Sequence, residues 1–325
     1  MARPTADRAL RRIAVLGAAS PAGAYVKAAL AERGVAGNRV DLYGHRSDVA
    51  VLSEYDGEAR LVQAAGELEA GGCAAVFVCE PGHEAQGLAA AAESGTLVVD
   101  LTGSISGAVL TGSPSSPAGR RIVAVPHAVT MLLTGLLAPL HAALGLTRAS
   151  AFVLRPASDF GEAGLEELRE QTVHLLRFES TPTEVFGRQL AFNVLPEHLF
   201  PLGEDVSSAR IVHECRLSLG APEFPITLSQ ALVPTFFGHA VAAQLDCAKF
   251  ARDEAIAALR AAPGVTVASD PDTGSTLDAP EEPGLLVARV DAVGPSTLSL
   301  WALGSEAGAT AAARAIAVAA EAGVL

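Results

Sequence analysis

Positive charge is scarce in this sequence. Lys and Arg number 23 against 36 Asp and Glu, a formal net charge of −13. No Lys/Arg-rich patch offsets the deficit, which argues against a nucleic acid or an anionic membrane as partner. Cysteine is also sparse. Cys73, Cys79, Cys215 and Cys247 lack the paired spacing of a metal site, so no metal is expected. They read as reduced thiols of a cytoplasmic protein, each most simply a small buried hydrophobe. Unbroken apolar runs of membrane length are missing too. Met131 to Leu154 is apolar but is interrupted by Gly135, Pro139, His141, Gly145 and Arg148, as in a core helix followed by a strand. Arg11-Arg12 before IAVLGAASPAGA imitates a secretion or twin-arginine signal. That run breaks at Gly17, Ser20, Pro21 and Gly23, and a first strand with its Gly-rich turn explains it better.

What remains is a chain of 325 residues, half of them hydrophobic and only 5% aromatic. That length is enough for a large core and for two domains. Abundant Gly, Ala and Val, with short apolar runs alternating with helical stretches, points to an α/β fold. Strands are expected at Ile13–Leu16, Val40–Tyr43, Ala74–Cys79 and Thr96–Asp100, with Arg60–Gln63 as a further candidate. Helices are expected near 22–33, 84–94 and 128–144. Strand–helix repetition with short turns implies a mostly parallel, doubly wound sheet with ligands at the carboxyl ends of its strands. After residue 144 the strands lengthen and lean antiparallel, a sheet whose face would make a dimer. No internal repeat is evident.

Two turns carry candidate cofactor chemistry. Gly17, Ser20 and Gly23 sit between the first strand and a helix, where backbone amides approach a phosphate; a plain strand–helix turn is the alternative. Arg46 and Ser47 follow the second strand, where they would suit a 2′-phosphate or simply form a solvated loop.

The chain is organised around Arg121–Leu133, RIVAVPHAVTMLL. A buried strand meets a Pro126 corner and then a long apolar helix. At such a corner amide dipoles lower a thiol's pKa and stabilise an oxyanion. Here it carries His127, Ala128, Val129 and Thr130, and Ala128 has nothing to attack with.

The order of these pieces resembles aspartate-semialdehyde dehydrogenase and, more loosely, its relative N-acetyl-glutamyl-phosphate reductase. The anchors are the 121–144 block, Glu162–Leu168 (EAGLEEL), Leu190–Pro196 (LAFNVLP) and Val233-Pro234 with Gly238-His239. The resemblance covers nearly the whole chain. It implies a Rossmann-like dinucleotide-binding domain, residues 1–127 with 304–325, and an α+β dimerisation and catalytic-type domain with a mixed sheet, residues 128–303. Family enzymes pass through a cysteine thioester with NADPH as hydride donor, a route that needs an activated thiolate and a base.

By that resemblance the family's Asn-Pro-Asn-Cys-Ser-Thr corner becomes Val125-Pro126-His127-Ala128-Val129-Thr130, and the thiol falls on Ala128. The substrate-contacting glutamine falls on Arg155, the substrate-binding arginine on Leu232 and the phosphate-holding arginine on Ser106. The Asp-Asn-Leu-Arg-Lys-Gly run is shortened to Gly304–Gly308. His239 matches the general acid/base, and Glu214 matches the carboxylate that engages the substrate amine. Gly17 and Gly23 persist in a drifted first turn, so NADP binding is expected to be weakened or lost.

Two functions follow as expectations. One is a catalytically silent homodimer, like the cysteine-less Usg-like paralogues of this dehydrogenase, acting as sensor, scaffold or partner surface. The other is an NADP-dependent oxidoreductase of altered substrate, with Arg155 binding a different acid and Cys79 or Cys215 as a relocated thiol.

Overall fold

The computed structural model describes residues 12–45, 51–82, 87–111, 121–199, 207–249 and 251–325. Arg46, Ser47 and His83 lie outside them. The chain forms two compact units, Met1–Pro126 with Ala311–Leu325, and His127–Thr310.

The first unit is built on short apolar strands. β1 (Ile13–Leu16), β6 (Ala75–Val78) and β7 (Leu97–Asp100) are buried at every residue, as is β2 (Val40–Gly44). Continuous burial is the signature of strands covered on both faces. With β5 (Gln63–Ala64), β8 (Val109–Leu110) and β9 (Ile122–Ala124) they form a seven-stranded sheet ordered β5-β2-β1-β6-β7-β9-β8. Every pairing is parallel, so the carboxyl ends share one edge. Helix α1 (Pro21–Glu32) starts with Ser20 as N-cap and proline at its first position, the residue that loses least there. Helix α2 (Leu88–Glu93) is short.

The Arg60–Gln63 expectation needs correction. Glu58–Leu61 (β4) pairs antiparallel with Leu52–Tyr55 (β3) in a separate two-stranded sheet, and only Gln63–Ala64 joins the large one. The segment is polar and exposed, so nothing drives it into the buried layer.

The second unit opens with α3 (Ala128–Leu144). Leu133, Leu136, Leu137, Leu140 and Leu144 recur at helical spacing and are all buried. Gly145, at φ +62°, ends the helix in the left-handed region. There follow β10 (Leu146–Arg155), α4 (Gly161–Leu176), β11 (Leu195–Pro196), α5 (Ser208–Leu219), β12 (Ile226–Leu232), β13 (His239–Cys247) and α6 (Arg252–Ala261). The chain continues through β14 (Val265–Val267), β15 (Leu285–Ala292) and β16 (Thr297–Gly304) into α7 (Ala307–Glu321).

The sheet order is β11-β12-β10-β13-β16-β15-β14, with parallel and antiparallel pairs mixed. One face carries the core, in which α3 leucines meet Val153, Val241, Leu245, Leu298 and Ala302. The other is open: Phe152, Ala242 and Gln244 are exposed between those buried neighbours. No helix of the described residues is long and apolar enough to cross a membrane.

Candidate functional site

The corner singled out in the sequence is a helix start held by side chains. His127 is the N-cap of α3, and its Nδ1 accepts the Val129 N–H at 3.1 Å. Ala128 is the first helical residue and is half-buried. From α5, Glu214 reaches under this start. Its Oε2 accepts the His127 N–H at 2.9 Å and the Thr130 hydroxyl at 2.7 Å, and its Oε1 accepts from Arg210 Nε at 2.9 Å. A buried carboxylate at a helix N-terminus is favoured by the helix dipole and by the amides it caps. Glu214 is thus engaged by α3 and Arg210. Burial first, then the positive charge of Arg155, pushes the His127 imidazole down to about 3, although Asp159 pulls the other way. A neutral ring is what an accepting Nδ1 requires.

Beside this start lies a second cluster. Arg155, the last residue of β10, and His239, the first of β13, converge on Asp159 in the turn that follows β10. Arg155 Nε donates to Asp159 Oδ2 at 2.5 Å, and His239 Nε2 lies 3.2 Å from Oδ2 and 3.1 Å from Oδ1. The three side chains are 3%, 1% and 2% exposed for Arg155, Asp159 and His239, so water does not compete. Burial favours the protonated carboxyl, but Arg155 and His239 outweigh it by charge and hydrogen bond and hold Asp159 well below the usual carboxylate range. An ionised carboxylate only accepts, so His239 directs an Nε2–H at it.

The chain of bonds continues outward. Arg155 Nη1 donates to Gln230 Oε1 at 3.3 Å, Gln230 Nε2 to Ser208 Oγ at 3.1 Å, and Ser208 Oγ to Glu197 Oε2 at 2.6 Å.

These contacts revise several expectations. Arg155 does not point a guanidinium at an acidic substrate; it is buried against Asp159 and Gln230. Leu232 pairs in register with Arg155 and is 1% exposed in an apolar cluster with Ala157, Leu168 and Phe186. Ser106 belongs to the first unit and is exposed in the loop after β7. Cys79 and Cys215 are 6% and 0% exposed. Burial, then Asp100, pushes the Cys79 thiol far up; burial, then Glu214, pushes Cys215 up to about 12. Neither thiol ionises near neutrality, which a nucleophile requires.

In the first unit, the Gly17–Gly23 turn is closed on itself. Gly17 has φ +82°, and a Cβ there would stand 2.5 Å from Glu80 Cβ. A Cβ on Gly23 would stand 2.2 Å from the Gly17 carbonyl oxygen. Both glycines are therefore required for the turn's own packing. Gly17 and Ala18 N–H donate to the Tyr43 carbonyl at 2.9 Å each, and Ser20 N–H to Gly17 O at 3.0 Å. The Ser20 hydroxyl accepts from Gly23 N–H at 3.1 Å and donates to Gly17 O at 2.7 Å. Pro21 has no N–H. The Gly17, Ala18, Ser20 and Gly23 N–H groups are thus committed within the fold, which leaves fewer amides of the turn for a dinucleotide pyrophosphate. Ser20 serves the helix as its N-cap. Among the described residues, no group of three or more His, Cys, Asp or Glu is placed to hold a metal ion.

The model of the semialdehyde dehydrogenase dimerisation domain matches residues 137–305, just over half of the chain. The chain belongs to the semialdehyde dehydrogenase family. Aspartate-semialdehyde dehydrogenase 2 of Vibrio cholerae is 28% identical over 244 residues, 70% of this chain and 72% of the relative. A USG-1 protein homolog of Pseudomonas aeruginosa is 29% identical over 166 residues, 48% and 49% of the two chains. Among solved structures, a probable aspartate-semialdehyde dehydrogenase from Pseudomonas aeruginosa superposes with a TM-score of 0.82 at 25% identity, covering 96% of this chain and 97% of that one. The Rossmann-like parallel sheet and the mixed sheet are thus the family's architecture.

Sequence reading within this family missed Asp159. Its signal is modest: an aspartate four residues after a strand-end arginine, inside Pro-Ala-Ser-Asp-Phe-Gly, reads as an ordinary turn residue.

Proposed function

We propose that this family member has lost thioester-forming dehydrogenase activity and acts as a non-catalytic binding homodimer, a sensor or scaffold on the dehydrogenase frame. The observation that carries this reading is the pairing of His239 with Asp159. The imidazole expected to serve as general acid/base is buried against an internal carboxylate, while the helix start beside it offers only the Ala128 methyl group. The covalent path needs a thiolate and a base within reach of it. Arg155 and Asp159 neutralise each other, and Leu232 replaces a charged clamp with an apolar contact, so the loss is spread over several residues.

Three further parts belong to this reading. His239 and Glu214 are vestigial members of the catalytic set. The first unit keeps the dinucleotide-binding frame with little or no affinity for NADP. The open face of the mixed sheet, around Phe152, Ala242 and Gln244, is the homodimer surface, in keeping with the dimerisation-domain match. The competing reading, an NADP-dependent aldehyde oxidoreductase with Cys79 or Cys215 as relocated nucleophile, finds no support in the geometry of either thiol.

The test is direct. The protein is mixed with NADP, inorganic phosphate and aspartate semialdehyde. Absorbance is followed for NADPH, and intact mass for an acyl adduct. Neither signal is expected above background. Turnover at rates usual for an enzyme, of order 1 per second or more, would overturn the proposal.

A further inference from the structure

The edge of the mixed sheet carries a feature that lies outside the site described above. β14 pairs with β15 only from Leu285 to Val287, and the β15–β16 ladder has a bulge just beyond, between Val287 and Arg289. A bulge bends its strand and increases the local twist. From Ala288 onward, β15 runs along the floor of a groove of about 900 Å³, in the size range of small-molecule sites. One wall is α6, whose Arg252, Ile256 and Arg260 recur every fourth residue and so share a flank. Arg289 and Trp301 complete it, paired across β15 and β16.

Charge here runs against the rest of the molecule. Three arginines line the groove in a chain of net charge −13. Asp291 is the one carboxylate among the described lining residues, and Arg289 pairs with it. Arg252 donates its Nε to the Val290 carbonyl at 2.8 Å, which fixes the guanidinium at the groove floor. Arg260 has no hydrogen bond or ion pair to any described residue. The same Arg252 bond occupies an edge carbonyl that an added strand would need, and charged side chains on an edge disfavour such pairing. The geometry therefore favours a small anion over an extended peptide.

Trp301 narrows the class. Its indole N–H donates to the Gly274 carbonyl at 2.7 Å, and a Cβ on Gly274 would sit 3.6–3.7 Å from the ring, so the indole is locked in place beside the guanidinium groups. A fixed aromatic ring next to arginines is the chemistry that takes a flat base by stacking and a phosphate by charge-assisted, bidentate hydrogen bonds.

We propose that this groove binds a nucleoside phosphate, the base against Trp301 and the phosphate between Arg260 and Arg252. The site lies wholly within the second unit. It does not depend on the loss of dehydrogenase activity.

Trp301 is the only tryptophan of the chain, so intrinsic fluorescence reads the groove directly. ADP is titrated into the full-length protein, with adenosine and inorganic pyrophosphate as half-ligands. Saturable quenching by ADP is expected, weakened about tenfold or more by Arg260→Gln, a change equal to the loss of one good contact. Adenosine is expected to bind at least about tenfold more weakly than ADP. Rising salt should weaken ADP binding, as for any phosphate held by arginine. Arg260 is exposed, so that variant folds, and its unaltered thermal melt serves as control. Absence of saturable quenching by ADP would overturn the proposal, as would equal affinity in Arg260→Gln or equal affinity for adenosine.

Discussion

Two charged clusters of the second unit differ in one respect that decides how each is read. Around Asp159 the charges are buried and closed on one another: Arg155 and His239 converge on a single carboxylate, and Gln230, Ser208 and Glu197 continue the chain. Around Arg260 the charges are exposed, one guanidinium has no partner among the described residues, and a volume of about 900 Å³ lies in front of it. Family resemblance directs attention to the first cluster. Its physics is that of a structural element, because every strong donor already has an internal acceptor. The second has no counterpart in the family reading, yet it has the unmet donors that ligand binding requires. The proposed loss of catalysis and the proposed binding of a nucleoside phosphate therefore rest on different places.

The comparison is broken or sharpened by substitution. The largest effect is expected at Asp159. Asp159→Leu takes the shared carboxylate from buried Arg155 and His239 and should cost about 3–5 kcal/mol of stability, read by urea unfolding. Adding Arg155→Met should recover most of that loss, because an apolar pair of similar volume replaces a buried ion pair at little net cost. If the double variant is as unstable as the single one, the loss comes from the His239 contact with Asp159 and not from the Arg155 charge.

Acid sensitivity comes next. The His127 value of about 3 lies below its ordinary 6.5, so the unfolded chain takes up that proton first and stability falls as pH drops from about 6.5 toward 3. Asp159 is held below its ordinary 3.8, so its contribution is present above that pH and is lost as pH falls below it. His127→Asn keeps a capping side chain and should remove the upper part of this decline in thermal melts between pH 7 and pH 4. An unchanged profile would mean that other groups carry it.

Thr130→Val removes one hydrogen bond to buried Glu214, which keeps the His127 N–H and Arg210, and about 1–2 kcal/mol is expected in the same unfolding assay. At the other end of the scale, Arg260→Gln should alter stability by less than about 0.5 kcal/mol, as for surface positions generally, while weakening ADP binding. A large stability loss there would make that arginine structural and erase the contrast between the clusters.

Much of the fold was legible in the chain. β1 and β6 are unbroken apolar runs that a doubly covered sheet accommodates, and the leucine spacing of α3 marks a helix. Ala128 was legible as well, because a corner followed by an apolar helix is a local pattern. Asp159 was not. Its role depends on β10 and β13 bringing residues 155 and 239 together, and nothing near 159 in sequence shows that its turn is buried. The β15 groove was hidden for the same reason. β14 has only three residues, and Arg252 of α6 meets Val290 of β15 through a fold that no local periodicity reveals. At Ser20 a helix cap and a phosphate contact ask for the same residue at the same turn, so the sequence does not separate the two.

The central claim is that the dehydrogenase chemistry has been dismantled at several residues and not merely unplugged at one. The most direct measurement is the turnover of Ala128→Cys with NADP, phosphate and aspartate semialdehyde, alongside intact mass for a thioester. The account predicts no NADPH above background, since Leu232 offers no clamp, Arg155 is paired and His239 is held by Asp159. Sustained NADPH production by that single variant would contradict it.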